Sequence, residues 1–290
     1  MSVGHWLDPV LFPAKRLNRR KLAQHIHGKT ILITGASSGI GERLSFMLSA
    51  YPVHLILAAR REEKLQEMKR EMEARGSAKV TVYALDLRNE AMMRAFLDDL
   101  LARFDRIDLV VSNAGHSIRR SIYDSLDRYH DFTRTMAINY FAPVQLILSL
   151  IPVLERSGGH IIHTSTVNAL MNPVPGWAAY QASKSAFDVW FRSVEPELNR
   201  RGISTTSIYL PLVRTPMIAP TAAYRKMPAM TAEQAAIVIG RCICTRRRRW
   251  QPWWLILARL GSLIPGNWWG RLAERLTGKD DGGGARHGAE

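Results

Sequence analysis

Tyr180 and Lys184 stand four residues apart in the stretch YQASK. Residues 176–201 carry a helical pattern, and this spacing puts both side chains on one helix face. A phenol with a pKa near ~10 is a poor acid–base group at neutral pH. An ammonium one turn away stabilises the phenolate and draws it toward a working range, which suits the pair to proton transfer at an oxygen. A solvated surface pair has the same spacing, so the reading depends on its surroundings.

A second chemical motif lies upstream. TGASSGIG (34–41) follows the strand-like run KTILIT and opens a helix-like one. Gly35 permits a tight turn, Gly39 lets the backbone approach a pyrophosphate, and Gly41 allows close helix packing; Ser37, Ser38 and Ile40 complete the loop. The first helical turn supplies free N–H groups and positive potential for phosphate. A nucleoside-triphosphate loop would end Gly-Lys-Ser/Thr, whereas Glu42 follows Gly41 here, so a dinucleotide is favoured. The next strand-like run, VHLILAA (53–59), leads into Arg60 and Arg61, where a carboxylate would otherwise hold the ribose 2′-hydroxyl of NAD. Guanidinium instead attracts a 2′-phosphate, which points to NADPH over NADH. The alternative is a solvated arginine at a helix start.

The elements that must position these residues alternate in type. Strand-like runs at 29–34, 53–59, 79–85, 107–112, 160–165 and 203–210 are separated by helical stretches, including 89–103, 126–154 and 176–201. Near-continuous apolar strands imply burial on both faces. The expected fold class is α/β, a Rossmann-type doubly wound parallel sheet in a single domain. Its expected limits are 28–245, after a basic N-terminal extension (1–27). A C-terminal strand and aromatic-basic segment (246–277) and a disordered tail (278–290) follow. The proline- and methionine-rich stretch 214–230 has no clear period and is placed as a substrate lid. Thr231 is expected to cap the next helix, with Glu233 two residues on.

The 290 residues are 47% hydrophobic and 22% charged, enough to bury a sizeable core. The net charge of +15 is concentrated at the ends, with +4 in residues 1–27 and +6 in 241–290. Cys242 and Cys244 are too few for a disulfide framework or a four-cysteine metal site and read as free thiols, which leaves no metal expected. The N-terminal order of apolar and basic residues is wrong for a secretory signal. The apolar C-terminal segment is broken by Arg259, Gly261, Pro265 and Asn267. The expectation is a cytoplasmic protein, at most peripheral to the inner face of a membrane.

TGASSGIG, Asp86, NAG (113–115), Asn139, the HTST strand end and YQASK together resemble the short-chain dehydrogenase/reductase family over about residues 28–245. The resemblance implies that Asp86, with Leu87, lies near the adenine. Asn113 would support the sheet beside the cofactor, with Ala114 and Gly115. It also implies that Asn139 holds a water in a proton relay and that Lys184 grips the nicotinamide ribose while tuning Tyr180. Val213 and Thr215 would reach the carboxamide. The family's substrate-orienting serine is replaced: Ser165-Thr166 stands where a Ser-Ser pair is usual. Ungapped alignment favours Thr166 as the active hydroxyl and leaves Ser165 open. His163 reads as a core residue of a buried strand rather than a base.

Stretches 113–141 and 207–221 further resemble bacterial long-chain fatty acyl-CoA reductases, which implies an acyl-CoA substrate and NADPH-dependent reduction to an aldehyde. Arg119 and Arg120 would then attract CoA phosphates or simply be solvated. Trp250, Trp253, Trp254, Trp268 and Trp269 cluster with arginines. They suit a membrane interface, although RRRRWQPWW also reads as a last sheet strand and the remainder as cover for a pocket or a homo-oligomer contact. No recognition motif accompanies a nucleic-acid reading. A reversible alcohol or ketone dehydrogenase with a hydrophobic substrate stays as the enzymatic alternative. A non-catalytic NADP-binding regulator is the other, against which Asn139, Tyr180 and Lys184 argue.

Overall fold

The computed structural model describes residues 7–13, 16–219, 224 and 227–261. Trp268, Trp269, the rest of the aromatic-basic segment after 261, the tail 278–290 and part of the expected lid lie outside the described residues.

The apolar runs form strands β1 (Thr30–Thr34), β2 (His54–Ala59), β3 (Lys79–Ala84), β4 (Leu109–Ser112), β5 (His160–Thr166) and β6 (Ser204–Leu210). Short strands β7 (Val213–Arg214), β8 (Met230–Thr231) and β9 (Arg249–Trp250) follow. The main sheet is wholly parallel in the order β3-β2-β1-β4-β5-β6-β9. Its order reverses between β1 and β4, which opens a crevice at the strands' carboxyl ends, the place where such sheets bind ligands. The arginine-rich run thus supplies the last strand, pairing Ser207 with Arg249 and Ile208 with Trp250.

Helices α1 (Asp8–Leu11), α2 (Arg19–Ile26), α3 (Gly39–Ser49), α4 (Glu62–Arg75), α5 (Glu90–Arg103), α6 (Tyr129–Met136), α7 (Ala142–Ser157), α8 (Ala178–Arg200), α9 (Ala232–Thr245) and α10 (Trp254–Gly261) complete the chain. Alternate strand residues face opposite layers. Ile31 and Ile33 pack with Leu44 of α3, Leu65 of α4 and Ile239 of α9. Leu32 packs with Met93 of α5, Leu146 of α7 and Phe187 of α8. Both faces are covered, which is why the strands read as continuous apolar runs.

Three local departures from the sequence reading have physical causes. The helix expected at 126 starts at Tyr129, because Ser121 accepts the Asp124 N–H at 3.0 Å and stabilises a 3₁₀ turn over Tyr123–Ser125. A π-helical turn, Ala137–Phe141, joins α6 to α7 and carries Asn139. Thr231 does cap α9, but its partner in the capping box is Gln234, three residues on, rather than Glu233. The continuous helical segment Tyr129–Ser157 is long and apolar enough to cross a membrane by composition. Its Leu146, Ile147, Leu150 and Leu154 are instead buried in the core. Cys242 and Cys244 are free and buried.

Candidate active site

β1 passes into α3 through a loop squeezed from two sides. Gly35 and Gly39 have φ of +66° and +55°, values that side chains other than glycine's rarely allow. A Cβ on Gly39 would stand 2.8 Å from Thr215 Cγ2, and one on Gly41 would stand 2.9 Å from Asn113 Nδ2. Gly35, Ser38, Gly39 and Ile40 line a cavity of about 700 Å³. Ser38 is the N-cap of α3 and makes no side-chain cap bond. The helix N-terminus therefore opens on the cavity as a ready phosphate site.

Asn113 ties three strands together at this edge. Its Nδ2 donates to the Thr34 carbonyl at 3.1 Å, and the N–H groups of Asn113 and Ala114 both reach Thr34 Oγ1 at 3.0 Å. Thr164 Oγ1 donates to Asn113 Oδ1 at 3.5 Å. Gly115 lies beside them: a Cβ there would be 3.1 Å from Asn139 Oδ1 and 3.4 Å from Lys184 Nζ. Val213 and Thr215 close the cavity from β7 and the loop after it.

The two arginines after β2 behave differently. Arg61 folds back over the loop and donates to the Ser37 carbonyl and hydroxyl. Arg60 is exposed. Asp86 is gripped by Arg88, Nε to Oδ1 at 3.0 Å and Nη2 to Oδ2 at 2.5 Å, which holds its carboxyl below the ordinary value. Leu87 is buried beside it. Arg88 carried no signal in the sequence reading; only its spacing from Asp86 could have suggested the bidentate pair.

Thr166, Tyr180 and Lys184 meet on the cavity floor, with Asn139 behind them. Thr166 Oγ1 accepts the Asn168 N–H at 3.3 Å, and the Thr166 hydroxyl lies close enough to the Tyr180 phenol to favour its ionised form. Ser165 lines the cavity too, but its buried hydroxyl makes no hydrogen bond among the described residues. Both candidate hydroxyls line the cavity, and Thr166 is the one that acts on the Tyr180 phenol. Burial raises the Tyr180 phenol, with the Thr166 hydroxyl working against it. Burial also pushes Lys184 down to about 8, and its Nζ donates to the Thr164 carbonyl at 3.2 Å. Lys184, expected from its spacing to govern Tyr180, is outweighed by desolvation, which is the larger influence on both groups.

Asn139 uses its side chain as a clamp. Oδ1 accepts from the His116 N–H, while Nδ2 donates to the His116 carbonyl and to Ser183 Oγ, all at 2.9 Å. His116 faces the cavity, its imidazole lowered by burial and then by Arg134, Arg60 and Arg88. His163 packs edge-on to Phe187 with ring centroids 4.5 Å apart and is held well below its ordinary value by burial, as a core residue would be.

Gln181, next to Tyr180 in YQASK, organises the loop after β5. Its Nε2 donates to the carbonyls of Asn168, Met171 and Asn172 at 2.8–3.2 Å, and its Oε1 accepts the Val174 N–H at 3.0 Å. This brings Trp177 edge-on to Tyr180 at 5.5 Å, with Tyr224 stacked behind it at 5.7 Å. Arg119 lines the cavity, whereas Arg120 turns away to Asp131 at 3.0 Å. Leu11 and Phe12 also form part of the wall, a role with no motif to announce it.

Residues 29–226 match the family model for short chain dehydrogenases. The chain is similar to a protein of Acinetobacter baylyi named fatty acyl-CoA reductase, 41% identical over 78% of this chain and 76% of that one. It is also similar to a fatty acyl-CoA reductase of Mycobacterium tuberculosis, 36% identical over 93% of this chain and 92% of that one. Among solved structures, a short-chain dehydrogenase of Sphingobium yanoikuyae in complex with NADPH superposes with a TM-score of 0.71. It is 21% identical, over 90% of this chain and 99% of that one. With the glycine loop, the Asn113 tie and the Thr166-Tyr180-Lys184 floor in place, the chain belongs to the short-chain dehydrogenase family and is an oxidoreductase.

Proposed function

We propose that this chain reduces long-chain fatty acyl-CoA to fatty aldehyde with NADPH. The observation that carries the reading is a single cavity with a polar floor of Thr166, Tyr180 and Lys184 and an apolar wall that includes Phe12, Trp177, Met217 and Trp254. The likeness to two proteins named fatty acyl-CoA reductases supports it.

The α3 N-terminus would hold the pyrophosphate and Arg60 the 2′-phosphate. Asp86 and Leu87 would flank the adenosine, Lys184 would hold the nicotinamide ribose, and Val213 and Thr215 would meet the carboxamide. When bound, NADPH supplies the hydride. Thr166 holds the substrate carbonyl oxygen, and Tyr180, kept protonated by burial, gives that oxygen its proton. The hemithioacetal then breaks its carbon–sulfur bond, releasing aldehyde and CoA thiol. Arg119 is the cation placed to meet the CoA phosphates.

The test follows thiol release beside NADPH oxidation, with long-chain acyl-CoA, the matching aldehyde and a panel of hydrophobic ketones. One thiol per NADPH consumed in forming aldehyde is expected. Oxidation on ketones without thiol release from any acyl-CoA would replace this reading with an alcohol dehydrogenase. Tight NADPH binding with no turnover at all would restore the regulator.

Peripheral contact with an anionic bilayer belongs to the same proposal. Val10, Trp253, Ile256 and Leu257 are 51–61% exposed, and Trp253 Nε1 donates to the Val10 carbonyl at 3.2 Å, so α1 and α10 present their apolar residues side by side. The chain ends carry most of the positive charge. Co-sedimentation with phosphatidylserine vesicles, reduced in Trp253→Ser, is the expected result; equal recovery of both proteins would remove the contact.

A further inference from the structure

The N-terminal segment lies outside the stretch matched by the family model, yet it reaches the cavity that holds Tyr180. Leu11 and Phe12 line that cavity; Phe12 is 6% exposed. Several contacts hold them there. The Asp8 carboxylate meets Arg214 at 2.9 Å through one oxygen and accepts the Ala229 N–H at 3.2 Å through the other. Arg214 in turn donates to the Ala229 carbonyl at 3.0 Å. β7 and β8 pair at the same place, Val213 with Met230 and Arg214 with Thr231. Asp8 therefore fastens both ends of the 215–229 loop. Behind it, Gln234 of the α9 capping box donates to the Phe12 carbonyl at 3.4 Å, and Trp253 reaches Val10.

The loop fastened in this way contributes Met217, Ile218, Met227 and Pro228 to the cavity, and α10 contributes Trp254. Together with Leu11 and Phe12 these side chains offer hydrocarbon and aromatic surface, and the half-buried Asp8 contacts fix them against one another. We propose that the N-terminal segment builds the binding site for the distal part of an alkyl chain. Leu11 and Phe12 act as its wall and Asp8 as the positioning residue that holds Arg214 and Ala229, and with them the cavity-lining residues Met217, Ile218, Met227 and Pro228, beside it. The inference rests on the reading of the substrate as a long-chain acyl thioester.

The wall predicts chain-length selection without any change in the chemistry. Asp8→Asn keeps the shape and the acceptor for Ala229 but removes the charge facing Arg214. Leu11→Ala removes surface, and Leu11→Trp fills space. The measurement is the ratio of kcat/KM for sixteen-carbon over four-carbon acyl-CoA, with NADPH affinity as the check that each variant is folded. Asp8→Asn and Leu11→Ala are expected to lower that ratio about tenfold, a factor worth roughly 1.4 kcal/mol. Leu11→Trp should shift the optimum to shorter chains, and Asp8→Glu should recover most of the ratio. Binding of a fluorescent sixteen-carbon fatty alcohol in the presence of NADPH gives a second readout that needs no thioester turnover. If the wild type releases no thiol but still binds this probe, and the variants bind it about tenfold more weakly, the wall stands and the thioester reading falls. A probe that the wild type does not bind, or that all variants bind equally, overturns the wall. So does a chain-length ratio unchanged across the variants.

Discussion

The floor and the walls of the cavity are made from different parts of the chain. The floor comes from segments 35–40, 113–116, 164–166 and 180–184, with Asn139 behind it, gathered by the parallel sheet at its carboxyl ends. The walls come from Leu11 and Phe12 near one end, Trp254 near the other, and the 215–229 loop; Asp8 and Arg214 meet across 206 residues of sequence. The floor is tied by backbone-directed bonds such as Asn113 to Thr34 and Lys184 to Thr164. The walls are held by side-chain contacts between elements that share no motif. The proposed chemistry thus sits where the fold is regular, and on the proposed reading substrate shape is left to segments near the chain's ends.

The largest effect that tests this division is on the floor. Tyr180→Phe keeps the ring that packs against Trp177 but has no proton to give. Turnover should fall by about 10²–10⁴-fold, the range of a general acid, with NADPH affinity almost unchanged. Normal turnover would end the assignment. Thr166→Val should fall further than Ser165→Ala, because Thr166 is the hydroxyl that acts on the Tyr180 phenol. The reverse order would mean that the substrate oxygen sits on the Ser165 side.

Arg60 and Arg61 sharpen the comparison at the cofactor end. Both arginines are exposed, but Arg61 is committed to Ser37. Losing a charge-assisted bond to phosphate costs about 1.5–3 kcal/mol, roughly ten- to over a hundredfold in affinity. Arg60→Ala should show that loss for NADPH and little change for NADH in equilibrium binding. Arg61→Ala should weaken both cofactors together, since it releases the loop they share. Equal effects of Arg60→Ala on the two cofactors would make Arg60 a structural residue.

The same division explains what could be read before the structure. Tyr180 and Lys184 were legible because their spacing puts them on one helix face, and the glycine loop because it follows a strand and opens a helix; Asn113 came only through the family resemblance. Strand positions were legible because both faces of the sheet are covered, so the apolar runs are unbroken. The choice between Thr166 and Ser165 was harder, because one residue of register turns a strand side chain to the other face. The π turn at Asn139 and the stapling of the 167–177 loop by Gln181 needed tertiary contacts that no local period reports. Leu11 and Phe12 looked like part of a basic extension; their place in the cavity depends on Asp8 finding Arg214.

The smallest effect concerns stability and runs in opposite directions in the two regions. Lys184 is an ammonium buried without a carboxylate beside it, and burial takes its pKa from 10.5 to about 8. Below pH 8 it is charged in both the folded and the unfolded chain, and the folded state bears the full cost of burying that charge. Between pH 8 and 10.5 the unfolded chain holds more protons, so stability from this group rises with pH across that window. Lys184→Met removes the cost while filling similar volume, at the loss of one bond to the Thr164 carbonyl. The cofactor-free variant should therefore be more stable than the wild type at pH 7 by about 1–3 kcal/mol, with turnover abolished. The gain should shrink above pH 8 and vanish near pH 10.5. Asp8→Asn, at the wall, should instead lower stability slightly at pH 7, because it removes a partly exposed ion pair. Thermal denaturation of both variants and the wild type at pH 7 and pH 10 separates the two. A Lys184→Met protein no more stable than the wild type at pH 7 would show that the floor stores no electrostatic cost for its chemistry.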